Sequence, residues 1–191
     1  MTSALPVRCR PLSVVSIALA VMLIAAPVLA AGNGADVAPD VAVKAAFLYN
    51  FAKFAEWPTL PPGASLALCV VGDEGVATAL VQTVRGQNIS GHVLEVVRPP
   101  DAASWRACHL LFIANSEIRR SAEGLGGIKT MPVLTVSDGK DFAHTDGIIE
   151  LFVEAGKMRF AINVDMAERS GLRLSSRLLG LAKVIRNNHV Q

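Results

Sequence analysis

The fold of this protein is decided by the stretch LALCVVGDEGVATALVQTV, which occupies residues 66–84. Its first part, Leu66–Val71, is continuously apolar, which predicts a buried strand. Gly72-Asp73 supplies a turn, and Val76–Val84 then predicts a short helix that ends at Gly86. A strand without polar alternation is typical of a parallel sheet that is covered on both faces.

The same alternation of strands and helices continues through the middle of the chain. Further apolar strands are predicted at Val93–Val97, Leu110–Ala114 and Pro132–Val136. Between the last two of these strands, Ser116 begins a helix that ends in the glycine-rich segment 124–127. This repetition predicts an α/β fold in which a mostly parallel sheet lies between two helical layers.

The segment before this core predicts one long helix, from about Asp40 to Glu56. Val43, Phe47, Phe51 and Phe54 recur there at helical spacing. Residues at this spacing share one stripe of a helix, so we expect these four side chains to pack into the core.

The last third of the chain has a different pattern. Ile148–Val153 and Met158–Ile162 are apolar runs joined by a short connection that contains glycine, which predicts a hairpin at an antiparallel edge of the sheet. A short helix from Asp165 to Ser170 precedes a final helix, predicted over Leu174–Ile185. The complete prediction is a three-layer α/β sandwich with a mostly parallel sheet, an antiparallel hairpin at the edge and a C-terminal helix.

The beginning of the chain has the pattern of a cleaved export signal. Two arginines precede an apolar run over residues 12–26, and small residues around Ala30 offer a signal-peptidase site. The run is too short and too broken for the alternative, a single-pass membrane anchor. The predicted division of the chain is a cleaved signal peptide at 1–31, a flexible leader at 32–41 and one α/β domain at 42–191.

Composition and charge exclude several classes of protein. The chain of 191 residues has 52% hydrophobic residues, which excludes wholesale disorder. Lys and Arg number 18 against 16 Asp and Glu, and removal of the signal peptide leaves 16 of each. A nucleic-acid-binding protein shows a strong and clustered basic excess. We therefore expect no nucleic-acid partner.

Removal of the signal peptide also leaves two cysteines, Cys69 and Cys108. In an exported protein, an even number of cysteines predicts disulfide bonding, here a single bond between these two. Two buried free thiols are the alternative.

No group of residues has the spacing of a catalytic or metal-binding motif. The segment Gly72–Gly75 lacks the third glycine of the dinucleotide fingerprint and the lysine of a P-loop, so we interpret it as a plain strand-to-helix turn. The four histidines do not have metal-ligand spacing. Asp138, Asp141 and Asp146 share one loop but do not follow the calcium-binding pattern. The sequence therefore predicts no catalytic residue, no metal and no cofactor.

Long segments of the chain resemble one known family. The segment VKAAFLYNFAKFAEWP, residues 43–58, closely resembles the opening helix of the YfiR family of periplasmic proteins. The resemblance spans roughly residues 42–186, nearly all of the predicted domain. Further matches follow in family order at 68–73, 108–113, 133–138, 159–163, 174–179 and 181–183.

The resemblance implies a function. The family is known for a repressor that binds the periplasmic sensor domain of an inner-membrane diguanylate cyclase and lowers cyclic-di-GMP synthesis. An OmpA/Pal-like outer-membrane lipoprotein sequesters that repressor. For this chain the resemblance implies a periplasmic, non-enzymatic protein with these two partners, a homodimeric state and a Cys69–Cys108 disulfide. The alternative is a periplasmic receptor for a small-molecule ligand that modulates a different membrane signalling protein.

We expect the working surface in the C-terminal third of the domain. Arg159 lies in the second strand of the hairpin and Arg177 near the start of the final helix, both in segments that resemble the family strongly. A guanidinium engages carboxylates through two hydrogen bonds and stacks on aromatic rings. The predicted patch for a protein or a small ligand therefore consists of Arg177, Arg159 and Glu154. In the alternative, Arg177 pairs internally with an acidic residue such as Asp165 and supports the fold.

Overall fold

The computed structural model describes residues 39–145 and 147–186. The predicted signal peptide and most of the predicted leader lie outside the described residues. The helices are α1 (Pro39–Phe54), α2 (Glu74–Val84), α3 (Ile118–Ile128), α4 (Phe142–Thr145), α5 (Val164–Arg169) and α6 (Ser176–Leu179). The strands are β1 (Ala55–Glu56), β2 (Leu66–Val71), β3 (Asn88–Ile89), β4 (His92–Val97), β5 (Leu110–Ile113), β6 (Leu134–Ser137), β7 (Ile149–Glu154), β8 (Lys157–Asn163), β9 (Arg173–Leu174) and β10 (Lys183–Ile185). Two 3-10 segments lie at Ala102–Ala107 and Asn115–Glu117.

Within the described residues, the central sheet has eight strands in the order β10-β8-β7-β6-β5-β2-β4-β3. Strands β4, β2, β5, β6 and β7 run parallel, whereas β8 is antiparallel to β7 and β3 is antiparallel to β4. The short strands β1 and β9 form a separate antiparallel pair. The mostly parallel sheet predicted from the alternating elements is confirmed.

Strand β5 shows why helices cover both faces of the sheet. Leu110 and Phe112 pack in the cluster that contains α1 and α2, whereas Leu111 and Ile113 pack on the other face with α3. All four side chains are fully buried. Successive side chains of a strand point to opposite faces, so a continuously apolar strand needs cover on both sides. The predicted three-layer α/β sandwich is therefore the observed architecture.

Cys69 of β2 and Cys108, just before β5, form the predicted disulfide. Their Cα atoms are 5.8 Å apart, and both residues are buried in the core on the α3 side of the sheet. The bond links the segment just before β5 to the neighbouring strand β2.

The buried face of α1 differs from the predicted stripe. Leu48, Phe51 and Ala52 are fully buried, whereas Val43 is 40% exposed. The Phe51 ring packs edge-on against Phe160 of β8, with ring centroids 5.1 Å apart. Because α1 carries apolar residues on more than one side, spacing alone cannot select its buried face. The contacts of α1 with the sheet and with α2 determine which of its faces is buried.

The C-terminal segment contains the predicted hairpin and a shorter helix than predicted. β7 and β8 pair along their whole length, from Ile149↔Ile162 to Glu154↔Lys157. The hairpin is not the last element of the sheet, because β10 pairs parallel to the outer edge of β8. The final helix is therefore only α6, and residues 183–185 form a strand within the range predicted to be helical. The outer edge of β8 offers free N–H and C=O groups. Hydrogen bonds to these groups favour a strand at residues 183–185 over a continued helix.

Candidate interaction surface

The predicted site residues Glu154 and Arg159 lie at the exposed end of the β7–β8 hairpin. Glu154 Oε2 and Arg159 Nε are 3.8 Å apart, and the two side chains are 66% and 56% exposed. Phe152 lies directly opposite Arg159 in the ladder, on the same face of the sheet. On the other face, Val153 is 68% exposed. The hairpin end thus presents an acidic, a basic and an apolar side chain to solvent.

Arg177 lies on a different element, α6, which follows the strand pair β1–β9. Its side chain is exposed, and in the described part of the chain no hydrogen bond or ion pair joins it to Glu154 or Arg159. Asp165, the acidic residue considered as its internal partner, lies 3.7 Å from the Arg186 guanidinium. The structure therefore brings Glu154 and Arg159 together and places Arg177 on a separate exposed element.

A doubly wound sheet offers another place for a site, the crevice at the carboxyl ends of the strands where the strand order reverses. Here this crevice lies between β2 and β5. Gly72 follows β2 with a φ of +81°, and a Cβ at this position would overlap Glu117 Cγ. Glu117 in turn pairs with Arg120. Asp73 caps α2 by accepting a hydrogen bond from the Val76 N–H at 2.9 Å. Glu117 thus lies against the turn that follows β2 at this crevice.

Beside this crevice, a mostly buried ion pair holds α1 against the sheet. Lys44 Nζ lies 2.7 Å from Asp138 Oδ2, and the two side chains are 13% and 22% exposed. Asp138 Oδ1 accepts a hydrogen bond from the Asn115 N–H at 2.7 Å. Burial opposes the charge on Lys44, but the hydrogen bond to Asp138 and the neighbouring carboxylates outweigh it and raise the pKa of Lys44. Local sequence patterns cannot reveal a pair separated by 94 positions.

His109 is a second polar residue that the sequence did not single out. Its Nδ1 accepts a hydrogen bond from the Ala67 N–H at 3.0 Å, so the neutral ring carries its proton on Nε2. Trp57 packs edge-on against this ring and donates from Nε1 to the His109 carbonyl at 3.1 Å. Burial, together with the charge of nearby His92, lowers the pKa of His109.

This lowered pKa makes stability depend on pH. The folded protein binds a proton at His109 more weakly than the unfolded chain does, so the free energy of unfolding should decrease as the pH falls below about 6.5. The decrease is complete once the pH has passed the folded pKa. NMR titration of the His109 ring measures that pKa directly. A value at or above about 6.5 for folded His109 would contradict the prediction.

A groove of about 670 Å³ follows the outer edge of β4. The last turn of α2 and the segment that leads into β3 form its other wall, and exposed valines of both α2 and β4 line it. This surface could not be predicted from the sequence, because the strand pattern does not show which strands lie at the edge of the sheet.

The described part of the chain contains neither a cluster of metal-ligating side chains nor a membrane-spanning helix. Within residues 39–145 and 147–186, no group of three or more His, Cys, Asp or Glu side chains is placed to hold a metal ion. The helices described over these residues include none with the length and apolar character needed to cross a membrane.

Comparison with known proteins identifies the family to which the chain belongs. No curated protein sequence matches it. A family model described as YfiR/HmsC-like matches residues 41–183, which is more than half of the chain and includes most of α1 and the whole hairpin. The protein therefore belongs to the YfiR/HmsC-like family.

Proposed function

We propose that this protein is a periplasmic repressor that binds the periplasmic domain of an inner-membrane diguanylate cyclase and lowers cyclic-di-GMP synthesis. The observation that carries the proposal is membership of the YfiR/HmsC-like family over residues 41–183. This family is regulatory rather than catalytic and fits periplasmic control of diguanylate cyclase signalling. An OmpA/Pal-like lipoprotein is the proposed partner that sequesters the repressor and so releases the cyclase.

Several features of the molecule support a role exerted through its surface. The Cys69–Cys108 disulfide suits an oxidising compartment such as the periplasm. The hairpin end exposes an acidic and a basic side chain, Glu154 and Arg159. In the proposed mechanism, the repressor binds the inactive conformation of the cyclase more tightly than the active one and so shifts the population towards it.

Deletion of the gene tests this function. Without the repressor, the cyclase population should shift towards its active form, so cellular cyclic-di-GMP and surface attachment should both rise. Mass spectrometry of nucleotide extracts measures the first effect, and the gene restored on a plasmid is the control. An unchanged cyclic-di-GMP level, while the candidate cyclase is expressed, excludes the proposed repression.

Substitution of Arg177 tests the predicted contact surface. The side chain is exposed, so Arg177→Ala should leave thermal stability nearly unchanged. If the guanidinium is an anchor of the interface, binding to the cyclase domain should weaken by about 2 kcal/mol. Calorimetric titration measures the binding, and Arg119→Ala on exposed α3 surface is the matched control. Early melting of the Arg177 variant with normal binding by its folded fraction would assign the residue to the fold instead.

A receptor for a small ligand remains the second candidate, and one observation favours it. A cavity of about 240 Å³ between α5, β9 and α6 is lined by Glu168, Arg173 and Arg186 together with leucine side chains. Guanidinium groups recognise carboxylates and phosphates. A thermal-shift screen of small carboxylates and phosphates, repeated with Arg173→Ala, tests this alternative. A rise in melting temperature that is lost in the variant supports it.

A further inference from the structure

The outer edge of β4 is only partly paired in the part of the chain that the structure describes. β3 pairs with only the first two residues of β4, His92 and Val93. The pairing stops there because Gln87, the residue before β3, donates its N–H to the Val84 carbonyl at 3.0 Å instead of to β4. Within residues 39–145 and 147–186, residues 94–97 therefore have no strand beside them on this side.

The β3–β4 turn determines which backbone groups of β4 face this open side. Ser90 and Gly91 have φ values of 52° and 87° and form a two-residue turn. The residues that flank such a turn exchange hydrogen bonds, so His92 directs its N–H and C=O towards β3. This direction alternates along a strand, so Leu94 and Val96 direct theirs to the same, open side. Groups in this arrangement accept an added strand.

The side chains beside this edge belong to two different faces of the sheet. Leu94 is buried in the core cluster on the α2 side, and Val96 packs against the same cluster. Val93 and Val97 point to the opposite face, where they are 61% and 37% exposed. Glu95 lies between these two valines on that face and is also exposed. A strand added to β4 therefore meets an acid flanked by valines on one face and the side that carries α2 on the other.

The groove of about 670 Å³ lies between this edge and α2. Val81 and Val84 of α2 line it, and Val81 is 37% exposed. Arg85, which follows α2, lines it as well, and no ion pair or hydrogen bond engages its side chain among the residues that the structure describes. The groove therefore suits apolar side chains, whereas Arg85 repels a basic one.

The charges beside the edge select its occupant. The carboxylate of Glu95 has no basic partner in the described part of the chain. We infer that the edge binds an extended segment of a partner protein, added antiparallel to β4. A basic side chain of this segment lies opposite Glu95, and the residues on either side of that base direct apolar side chains into the groove. Hydrogen bonds to the backbone of Leu94 and Val96 provide affinity, and the pair of opposite charges fixes the register.

Segments of this chain itself lack the required base. Residues 32–38 contain Asp36 but no Lys or Arg, and residues 187–191 contain neither Lys nor Arg. A second copy's β4 would bring the acid Glu95 instead of a base. A segment of different sequence is therefore the occupant that fits. This inference goes beyond the proposed repression and does not depend on it, because its test uses no cyclase.

Fluorescence anisotropy with a labelled peptide tests the edge on the purified protein. The probe GSTVKVTSG places its lysine opposite Glu95 and its two valines towards the groove. We expect weak binding, because a four-residue ladder is small beside the roughly 800 Å² per partner of a standard interface. N-methylation of both valines keeps their side chains but removes the N–H groups that face β4, so it should weaken binding about tenfold. Absence of binding at a protein concentration of about 1 mM overturns the inference.

Charge exchange tests the register. Glu95→Lys should weaken binding of the lysine probe several-fold, because it places two bases opposite each other. The probe GSTVEVTSG should show the reverse preference and bind the variant more tightly than the wild-type protein. Val81→Lys places a charge in the groove and should weaken both probes, whereas Val43→Lys, at a similarly exposed valine of α1, is the control and should have no effect. Circular dichroism verifies that each variant is folded.

The same measurements identify a different occupant. Binding that is insensitive both to N-methylation of the probe and to Glu95→Lys would overturn the inference. The edge would belong to a second copy if the probe does not bind and the protein sediments as a dimer that Val81→Lys dissociates. Binding that appears only after removal of residues 32–38 would assign the edge to that segment of the chain, and it too would contradict the inference.

Discussion

Reduction of the Cys69–Cys108 disulfide is expected to lower the free energy of unfolding by about 4 kcal/mol. The two cysteines are 39 positions apart, and the bond restricts the unfolded chain by closing this loop. Both residues are buried in the core, with 1% and 4% of their surface exposed. The effect is therefore chiefly a gain in freedom of the unfolded chain.

Urea unfolding with and without reductant measures this difference. The double variant Cys69→Ala, Cys108→Ala is the control, since its unfolding midpoint should not respond to reductant. In the wild-type protein, the midpoint should move to a markedly lower urea concentration on reduction. Equal midpoints under the two conditions, with thiol titration confirming that the bond is open, would contradict the prediction.

Removal of the Asp138 carboxylate is expected to lower the free energy of unfolding by about 3 kcal/mol. Asp138→Ala leaves the mostly buried Lys44 ammonium without its closest partner, and it also leaves the Asn115 N–H without its acceptor. A fully buried pair loses about 3 to 5 kcal/mol when one partner is removed. The side chains of Lys44 and Asp138 are 13% and 22% exposed, so we expect a loss of stability at the lower end of this range.

A double-mutant cycle isolates the pair from the rest of the core. Its members are Asp138→Ala, Lys44→Met, which keeps the aliphatic stem, and the combined variant. The combined variant should lose less stability than the sum of the single variants. Glu123→Ala on exposed α3 surface is the control and should change little. Additive effects would show that Lys44 and Asp138 act independently.

The Lys44–Asp138 ion pair makes the free energy of unfolding depend on pH in the alkaline range. The pKa of Lys44 is raised in the folded protein, so its stabilising contribution is fully present below the unfolded value of about 10.4. The contribution is lost as the pH rises through the higher folded pKa. In Lys44→Met this alkaline loss should be smaller than in the wild-type protein.

Local pattern was sufficient to predict most elements of the sheet. Leu66–Val71 was predicted with the bounds that the structure gives it, because a continuously apolar run between two turn signals has few other stable conformations. The hairpin of β7 and β8 was predicted for a similar reason, since its short connection with Gly156 permits a reversal of the chain. In both cases the information lies within a few neighbouring residues.

The C-terminal segment could not be predicted in the same way. Residues 174–185 have a helical spacing of leucines, yet only Ser176–Leu179 is helical and Lys183–Ile185 is a strand. The free edge of β8, which is distant in sequence, decides this outcome by offering hydrogen bonds that water would otherwise supply. The arrangement of the predicted site residues could not be predicted either: Glu154 and Arg159 lie 3.8 Å apart in the hairpin, whereas Arg177 lies on the separate helix α6.

The sequence by itself determined the class of fold, the disulfide and the family of this protein. Each of these follows from residues whose chemistry acts locally or from long matched segments. Only the tertiary structure decided which side of α1 is buried, that Lys44 meets Asp138, and that a groove follows the outer edge of β4. These features depend on residues brought together from distant positions, and their energies arise only when packing removes water between them.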